Sequence, residues 1–272
     1  MKTRLIVAAA GIPLIVLLIF FAPIWLVGAS VGLVSACCAY EFLRCTAMDI
    51  KARMLIYAAV AAFFIPFGVS LWNAEIIYRA VFFLLFALMF GELMISFRNE
   101  QPLDFEVVAL SLMAGGVMPM MLSSIVTLGL REHGSVYMLL PFVAAFSSDS
   151  GGYFAGLTLG RHKLAPRLSP KKTIEGSIGG FLAAIGMMLL YGLILKAAEF
   201  RVDLAVMAVY GFLGSLACQL GDLSFSAVKR LCGVKDYGNL LPGHGGMLDR
   251  FDSMHWTAAL VALLVAWVPA IA

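Results

Sequence analysis

Residues Leu204-Ala-Val-Met-Ala-Val-Tyr210-Gly-Phe-Leu-Gly-Ser-Leu-Ala-Cys218-Gln-Leu-Gly-Asp222-Leu-Ser-Phe-Ser226-Ala-Val228 form a run of 25 with one acid and no base. A helix that crosses a bilayer needs about 20 mostly apolar residues. This run predicts such a helix, with Asp222 held inside it. The chain then changes character: Lys229-Arg230-Leu-Cys-Gly-Val-Lys235-Asp236-Tyr-Gly-Asn-Leu-Leu-Pro-Gly-His244-Gly-Gly-Met-Leu-Asp249-Arg250-Phe-Asp252. From Ser226 to Asp252 there are three acids, four bases and one imidazole. Polyanion chemistry with a divalent cation accounts for such a segment: carboxylates hold metal, Lys and Arg hold phosphates, and Gly lets backbone N–H groups approach a ligand.

The rest of the chain agrees with a membrane setting. Of 272 residues, 62% are hydrophobic and 13% charged, with mean hydropathy +0.97. A soluble domain carries roughly 45–50% apolar and about 25% charged residues, so a soluble enzyme is excluded and an all-α polytopic membrane protein is expected. The Met-Lys-Thr-Arg start resembles a signal peptide. A second apolar segment follows directly, so it reads as an uncleaved first membrane helix. The five cysteines form neither a disulfide framework nor a zinc knuckle.

About nine membrane helices are predicted: Leu5–Phe21, Ile24–Phe42, Met54–Trp72, Ile77–Phe97, Val107–Leu130, Val136–Leu159, Ile174–Ala198, Leu204–Val228 and Phe251–Ile271. Gly160–Thr173 reads as a basic loop. Residues 1–130 hold the first five helices, and 131–272 hold the last four with the polar loops, in one integral-membrane unit. With the N-terminus cytoplasmic and the C-terminus outside, 15 of the 19 Lys and Arg fall on the cytoplasmic side, leaving Arg79, Arg131, Lys196 and Arg201. Both polar loops then share the cytoplasmic face.

Ionisable groups inside a bilayer usually face a cavity or a partner. Glu92, Asp149, Glu175 and Asp222 fit that description, and Glu41 lies nearer a helix end. Asp222, Ser226 and Lys229 fall on one helical face. Asp249 and Asp252 sit at the start of the last helix, where capping is the plain alternative to chemistry. A turn between the last two helices would bring Asp222 and Asp249 face to face, a site for Mg²⁺ on a nucleotide phosphate. A structural ion-pair network is the alternative. Glu92 has no motif around it and suits either a hydrogen bond inside the bundle or a functional role. His244, between glycines, either contacts phosphate or base or is structural. Gly152, Gly156 and Gly160, with Gly176 and Gly180, allow close helix approach, either within one bundle or at a homodimer seam.

The pattern S-x-x-K-R-x-x-x-x-K-D-x-x-x-x-x-P-G-H-G-G-x-x-D-R-x-D from Ser226 to Asp252 resembles the signature of the phosphatidate cytidylyltransferases, or CDP-diacylglycerol synthases. Ser148-Asp149-Ser150-Gly151-Gly152-Tyr153 through Ser169-Pro170-Lys171-Lys172-Thr173-Ile174-Glu175-Gly176 is similar to an upstream block of that family. The two blocks cover the C-terminal half; the N-terminal half agrees only in being hydrophobic. The resemblance implies transfer of the cytidylyl group of CTP to phosphatidic acid at the cytoplasmic face of a bacterial inner membrane. It implies Asp222 and Asp249 as Mg²⁺ ligands, with a second cation an option. Asp149 and Asp252 are further candidates, and Asp149 alternatively holds a lysine. The candidate catalytic set is Asp222, Lys229, Arg230, Lys235, Asp236, His244, Asp249 and Arg250. Ser169, Lys171, Lys172, Thr173 and Ser226 are expected to bind substrate, with Thr173 also capping the seventh helix. The lipid would enter sideways from the bilayer, and no nucleic acid partner is expected. The open alternatives are a CTP-dependent transferase on another lipid phosphate and, from a different class, an ion-coupled transporter.

Overall fold

Apolar runs in lipid must satisfy their own backbone hydrogen bonds, so helices dominate. The computed structural model describes residues 13–47, 50–98, 102–240 and 245–271. Residues 13–21 are helical, and Pro23 marks the break before α1 (Ile24–Thr46). Then follow α2 (Ala52–Leu71), α3 (Ala74–Ser96), α4 (Phe105–Leu112), a π-helical turn (Met113–Val117) and α5 (Met118–Gly129). Next come α6 (Gly134–Leu159), a β-hairpin of β1 (Lys163–Ala165) and β2 (Ser169–Thr173), α7 (Ile174–Ala197), α8 (Leu204–Leu231) and α9 (Leu248–Trp267).

Among the described residues, six helical stretches are long and apolar enough to cross a membrane: α1, α2, α3, Phe105–Gly129, α7 and α8. The protein is therefore an all-α polytopic membrane protein. Outside those six, α6 carries the polar run Ser147-Ser148-Asp149-Ser150, and α9 opens with Asp249, Arg250 and Asp252.

Three local readings change. The basic loop expected over Gly160–Thr173 contains the antiparallel hairpin, with Lys163 opposite Thr173 and Ala165 opposite Ser169. Pairing satisfies backbone groups that a loop would leave to solvent. The single helix expected over Val107–Leu130 is interrupted by the π-helical turn. Pro119 lacks the N–H that an α-helix would donate to Gly115, and the wider turn accommodates that gap. Helix α8 runs past Val228 to Leu231, placing Lys229 and Arg230 in its last turn, where cations suit the helix dipole.

The chain divides into two compact units. One comprises the chain up to Ser135 together with Leu231–Phe251; the other comprises Val136–Arg230 with Asp252–Ala272. In the first, Phe42, Leu43, Met54, Ile65, Leu85, Met89 and Leu122 are fully buried. A side chain at Gly32 would strike the Phe63 carbonyl, so α1 and α2 pack in backbone contact. Glu92 is buried and pairs with Arg53 at 2.6 Å, a structural role within this bundle.

In the second unit, Leu140, Met188 and Tyr210 are fully buried. The small-residue spacing joins α6 to α7: a Cβ at Gly176 would lie 2.9 Å from the Gly152 carbonyl, and one at Gly180 2.9 Å from that of Ser148. Helices α8 and α9 meet equally closely at Gly221, where a Cβ would lie 3.0 Å from Ser253 Cα.

Candidate active site

In the second unit, local capping builds the hairpin side of the site. Thr173 ends β2 and caps α7 through its hydroxyl, which accepts from Gly176 N–H at 3.1 Å. Glu175 in the first turn of α7 accepts from the Arg161 and His162 backbone N–H groups at 3.1 and 3.2 Å, and its Oε1 lies 2.6 Å from His162 Nδ1. The hairpin's turn is held from the other side, where Arg230 Nε donates to the Leu168 carbonyl at 3.2 Å. Part of the Arg230 guanidinium therefore fixes the hairpin. Sequence reading alone saw the acid and the bases but not this clamp.

These contacts aim β2 at the polar face of α8. Lys172 Nζ forms an ion pair with Asp222 Oδ2. Ser226, one turn further along α8, donates to Asp222 Oδ1 at 3.3 Å. The close approach of α8 and α9 at Gly221 puts buried Asp252 within Coulombic range of Asp222, Asp149 and Lys229. Asp149 also accepts from Cys218 Sγ at 3.5 Å. Gln219, which sequence reading did not single out, links Ser177 of α7 to Ser215 of α8; it is uncharged and belongs to neither polar block, so only its place one turn before Asp222 could have marked it.

The result is a cleft of about 420 Å³ lined by Asp149, Lys171, Lys172, Thr173, Gln219 and Asp222, and also by glycines of α6 and α7. Two lysines and two carboxylates thus share one space. Lys171 is exposed at the rim, and Ser169 is half-buried at the start of β2.

The loop after α8 belongs to the first unit and is organised there. Asp249 Oδ2 accepts from Tyr237 N–H at 2.8 Å and from Gly246 N–H at 3.0 Å. Gly245, at φ +86, takes a left-handed conformation that non-glycine residues adopt at a cost, and a Cβ there would lie 3.2 Å from Asp249 Oδ2. Lys235, Asp236 and Arg250 are exposed. His244 lies outside the described residues.

Whether these residues suit a divalent ion is decided by the donor set. Among the described residues, no group of three or more His, Cys, Asp or Glu is placed to hold a metal. Mg²⁺ commonly needs only one or two carboxylates, completing its shell with water and substrate phosphate oxygens. Asp222 offers hard oxygen donors of that kind, and the ammonium of Lys172 already sits on it as a cation. The donor chemistry fits.

The cytidylyltransferase family model matches residues 2–268. Among similar proteins, the phosphatidate cytidylyltransferase of Bacillus subtilis strain 168 is 41% identical over 137 residues, covering 50% of each chain. That of Staphylococcus aureus strain COL is 42% identical over 135 residues, covering 50% of this chain and 51% of the relative. The chain spans about half the length of the curated relatives it matches. The family match, by contrast, runs through both units and both polar blocks: the chain belongs to the cytidylyltransferase family.

Proposed function

We propose that the protein is a phosphatidate cytidylyltransferase that makes CDP-diacylglycerol and pyrophosphate from CTP and phosphatidic acid. The observation that carries this reading is the Lys172–Asp222 pair in a cleft lined by hairpin lysines, within a chain of this family. A phosphate oxygen of phosphatidate attacks the α-phosphorus of CTP, and the bond to the bridging oxygen of pyrophosphate breaks. The nucleophile is already anionic, so positioning and charge neutralisation are what the protein supplies.

Lys171 and Lys172 bring positive charge to the phosphates from β2. Lys229, Lys235 and Arg250 add more, and Arg230 keeps the hairpin turn in place. Ser226 orients Asp222. Asp222 and Asp249, with Asp149 and Asp252 as further donors, would hold Mg²⁺, which supplies neutralisation of nucleotide phosphate charge. His244 is a candidate contact to phosphate or base.

In this reading nine helices cross the inner membrane, the N-terminus is cytoplasmic and the C-terminus outside. The basic hairpin and the loop after α8 then meet CTP in the cytoplasm, while the lipid's acyl chains remain in the bilayer. The excess of Lys and Arg in those connections supports this orientation.

Purified full-length protein incubated with radiolabelled CTP and either phosphatidate or a polyprenyl phosphate tests the substrate. Label entering the lipid phase with phosphatidate alone is expected. Label with the polyprenyl phosphate alone would reassign the acceptor, and uptake into proteoliposomes without any lipid product would favour a transporter.

A further inference from the structure

Helix α1 carries no charge from Ile24 to Leu43 except Glu41, and Glu41 is only 5% exposed. Its carboxylate is not spent on its own helix. Oε1 accepts from Met247 N–H at 3.0 Å and Oε2 from Leu248 N–H at 2.8 Å, across more than 200 residues of chain. Both partners lie at the start of α9, among amides that have no acceptor within their own helix. The loop is shaped around this carboxylate. A Cβ at Gly238 would lie 2.6 Å from Oε1, and one at Gly246 2.4 Å from Oε2. Only glycine lets the backbone approach so closely on both sides. The ring of Phe42, the next residue of α1, lies 6.3 Å from that of Tyr237.

The same short segment holds Asp249. Tyr237 and Gly246 donate to Asp249 Oδ2, while Met247 and Leu248 donate to Glu41. Gly246, Met247 and Leu248 are thus three successive amides, one on Asp249 and two on Glu41. Where Glu41 sits fixes where these amides sit, and they in turn fix the Asp249 carboxylate. We infer that Glu41 is a positioning residue: a buried carboxylate of α1 that anchors the glycine-rich loop and sets the place of Asp249. The inference rests on the cytidylyl-transfer reading for its consequence in activity, but its geometry is independent of that reading.

Glutamine separates this role from simple filling of space. It has the same shape, yet offers one carbonyl oxygen, and its NH₂ group would confront the second amide donor. In full-length protein, hydrogen exchange measured over residues 245–250 should show Met247 and Leu248 protected in the wild type. Glu41→Gln should lose that protection, lower turnover roughly 10- to 100-fold, as expected for a lost charge-assisted hydrogen bond, and raise the Mg²⁺ concentration for half activity. Gly246→Ala, which leaves Glu41 chemically intact, should reproduce both changes. A variant that only lowered the amount of folded protein would reduce total activity without moving the Mg²⁺ dependence. Should Glu41→Gln fail to fold, wild-type exchange still decides: unprotected Met247 and Leu248 amides overturn the anchor. A folded Glu41→Gln protein with wild-type exchange and turnover overturns it too. Protected amides in a wild-type protein with no cytidylyl transfer would support the anchor and refute the reaction.

Discussion

The ammonium of Lys172, on the second strand of the hairpin, lies on the carboxylate of Asp222, in the C-terminal half of α8. A cation from one element and an anion from another therefore meet inside a cleft lined in part by glycine. Each keeps part of its surface open, with Lys172 26% and Asp222 30% exposed. The pair is thus accessible to a ligand. In the proposed reaction a phosphate would take the lysine and a metal the aspartate without unfolding either element.

Lys172→Gln should raise the CTP or phosphatidate concentration needed for half-maximal rate more than it disturbs folding. Removing a charged donor from a phosphate costs about 1.5–3 kcal/mol of binding. Steady-state kinetics with each substrate varied in turn, beside thermal unfolding in detergent, check this. Unchanged kinetics in a folded Lys172→Gln protein would remove the residue from the site.

Gly245→Ala should impair turnover while leaving the membrane bundle folded. Its φ of +86 costs an L-residue about 1–2 kcal/mol, and the added Cβ would press on Asp249 Oδ2 from 3.2 Å. Activity per folded protein, measured by size-exclusion chromatography and assay of the same fraction, gives the answer. Wild-type specific activity would show that the loop tolerates the change.

Gly176→Ala tests packing rather than chemistry. The new methyl would stand 2.9 Å from the Gly152 carbonyl and 2.9 Å from Thr173 Oγ1. Overpacking of this kind costs about 1–3 kcal/mol, so the unfolding temperature should fall. An unchanged transition would mean that α6 and α7 separate more easily than their contact suggests.

Topology is tested by single cysteines at Arg167 and Asn239, in a chain whose five native cysteines are replaced. Both positions should be protected from an impermeant thiol reagent in sealed cells and react after permeabilisation. Labelling of either from outside would reverse the orientation.

Much of this was legible in the residues themselves. Asp222 stands out as the single acid in a long apolar run, and Thr173 followed by Gly176 reads as a cap because the side chain and the amide are one turn apart. The glycine spacing of α6 and α7 also translates directly into helix contact. Other features depend on chain folding that spacing does not encode. Nothing local distinguishes Lys171 from Lys172, yet strand alternation sends one to the rim and the other to Asp222. The hairpin was hidden because Pro166 and Pro170 read as loop residues, while its pairing is completed by Glu175 and Arg230. Glu41 was visible as an acid near a helix end, but its partners lie more than 200 residues away, and no periodicity links them.

The most direct test of the central claim follows the two ends of CTP separately. With phosphatidate and Mg²⁺, label at the α-phosphorus should enter the lipid phase, and label at the γ-phosphorus should leave as pyrophosphate. Asp222→Asn preserves the shape of the side chain but removes the charge that a hard cation requires. It should cut both transfers on the order of 100-fold or more, the scale of losing an electrostatic contact to the reacting phosphate. Lipid labelled from the γ-position, or an Asp222→Asn protein that turns over at the wild-type rate with an unchanged Mg²⁺ requirement, would contradict the account.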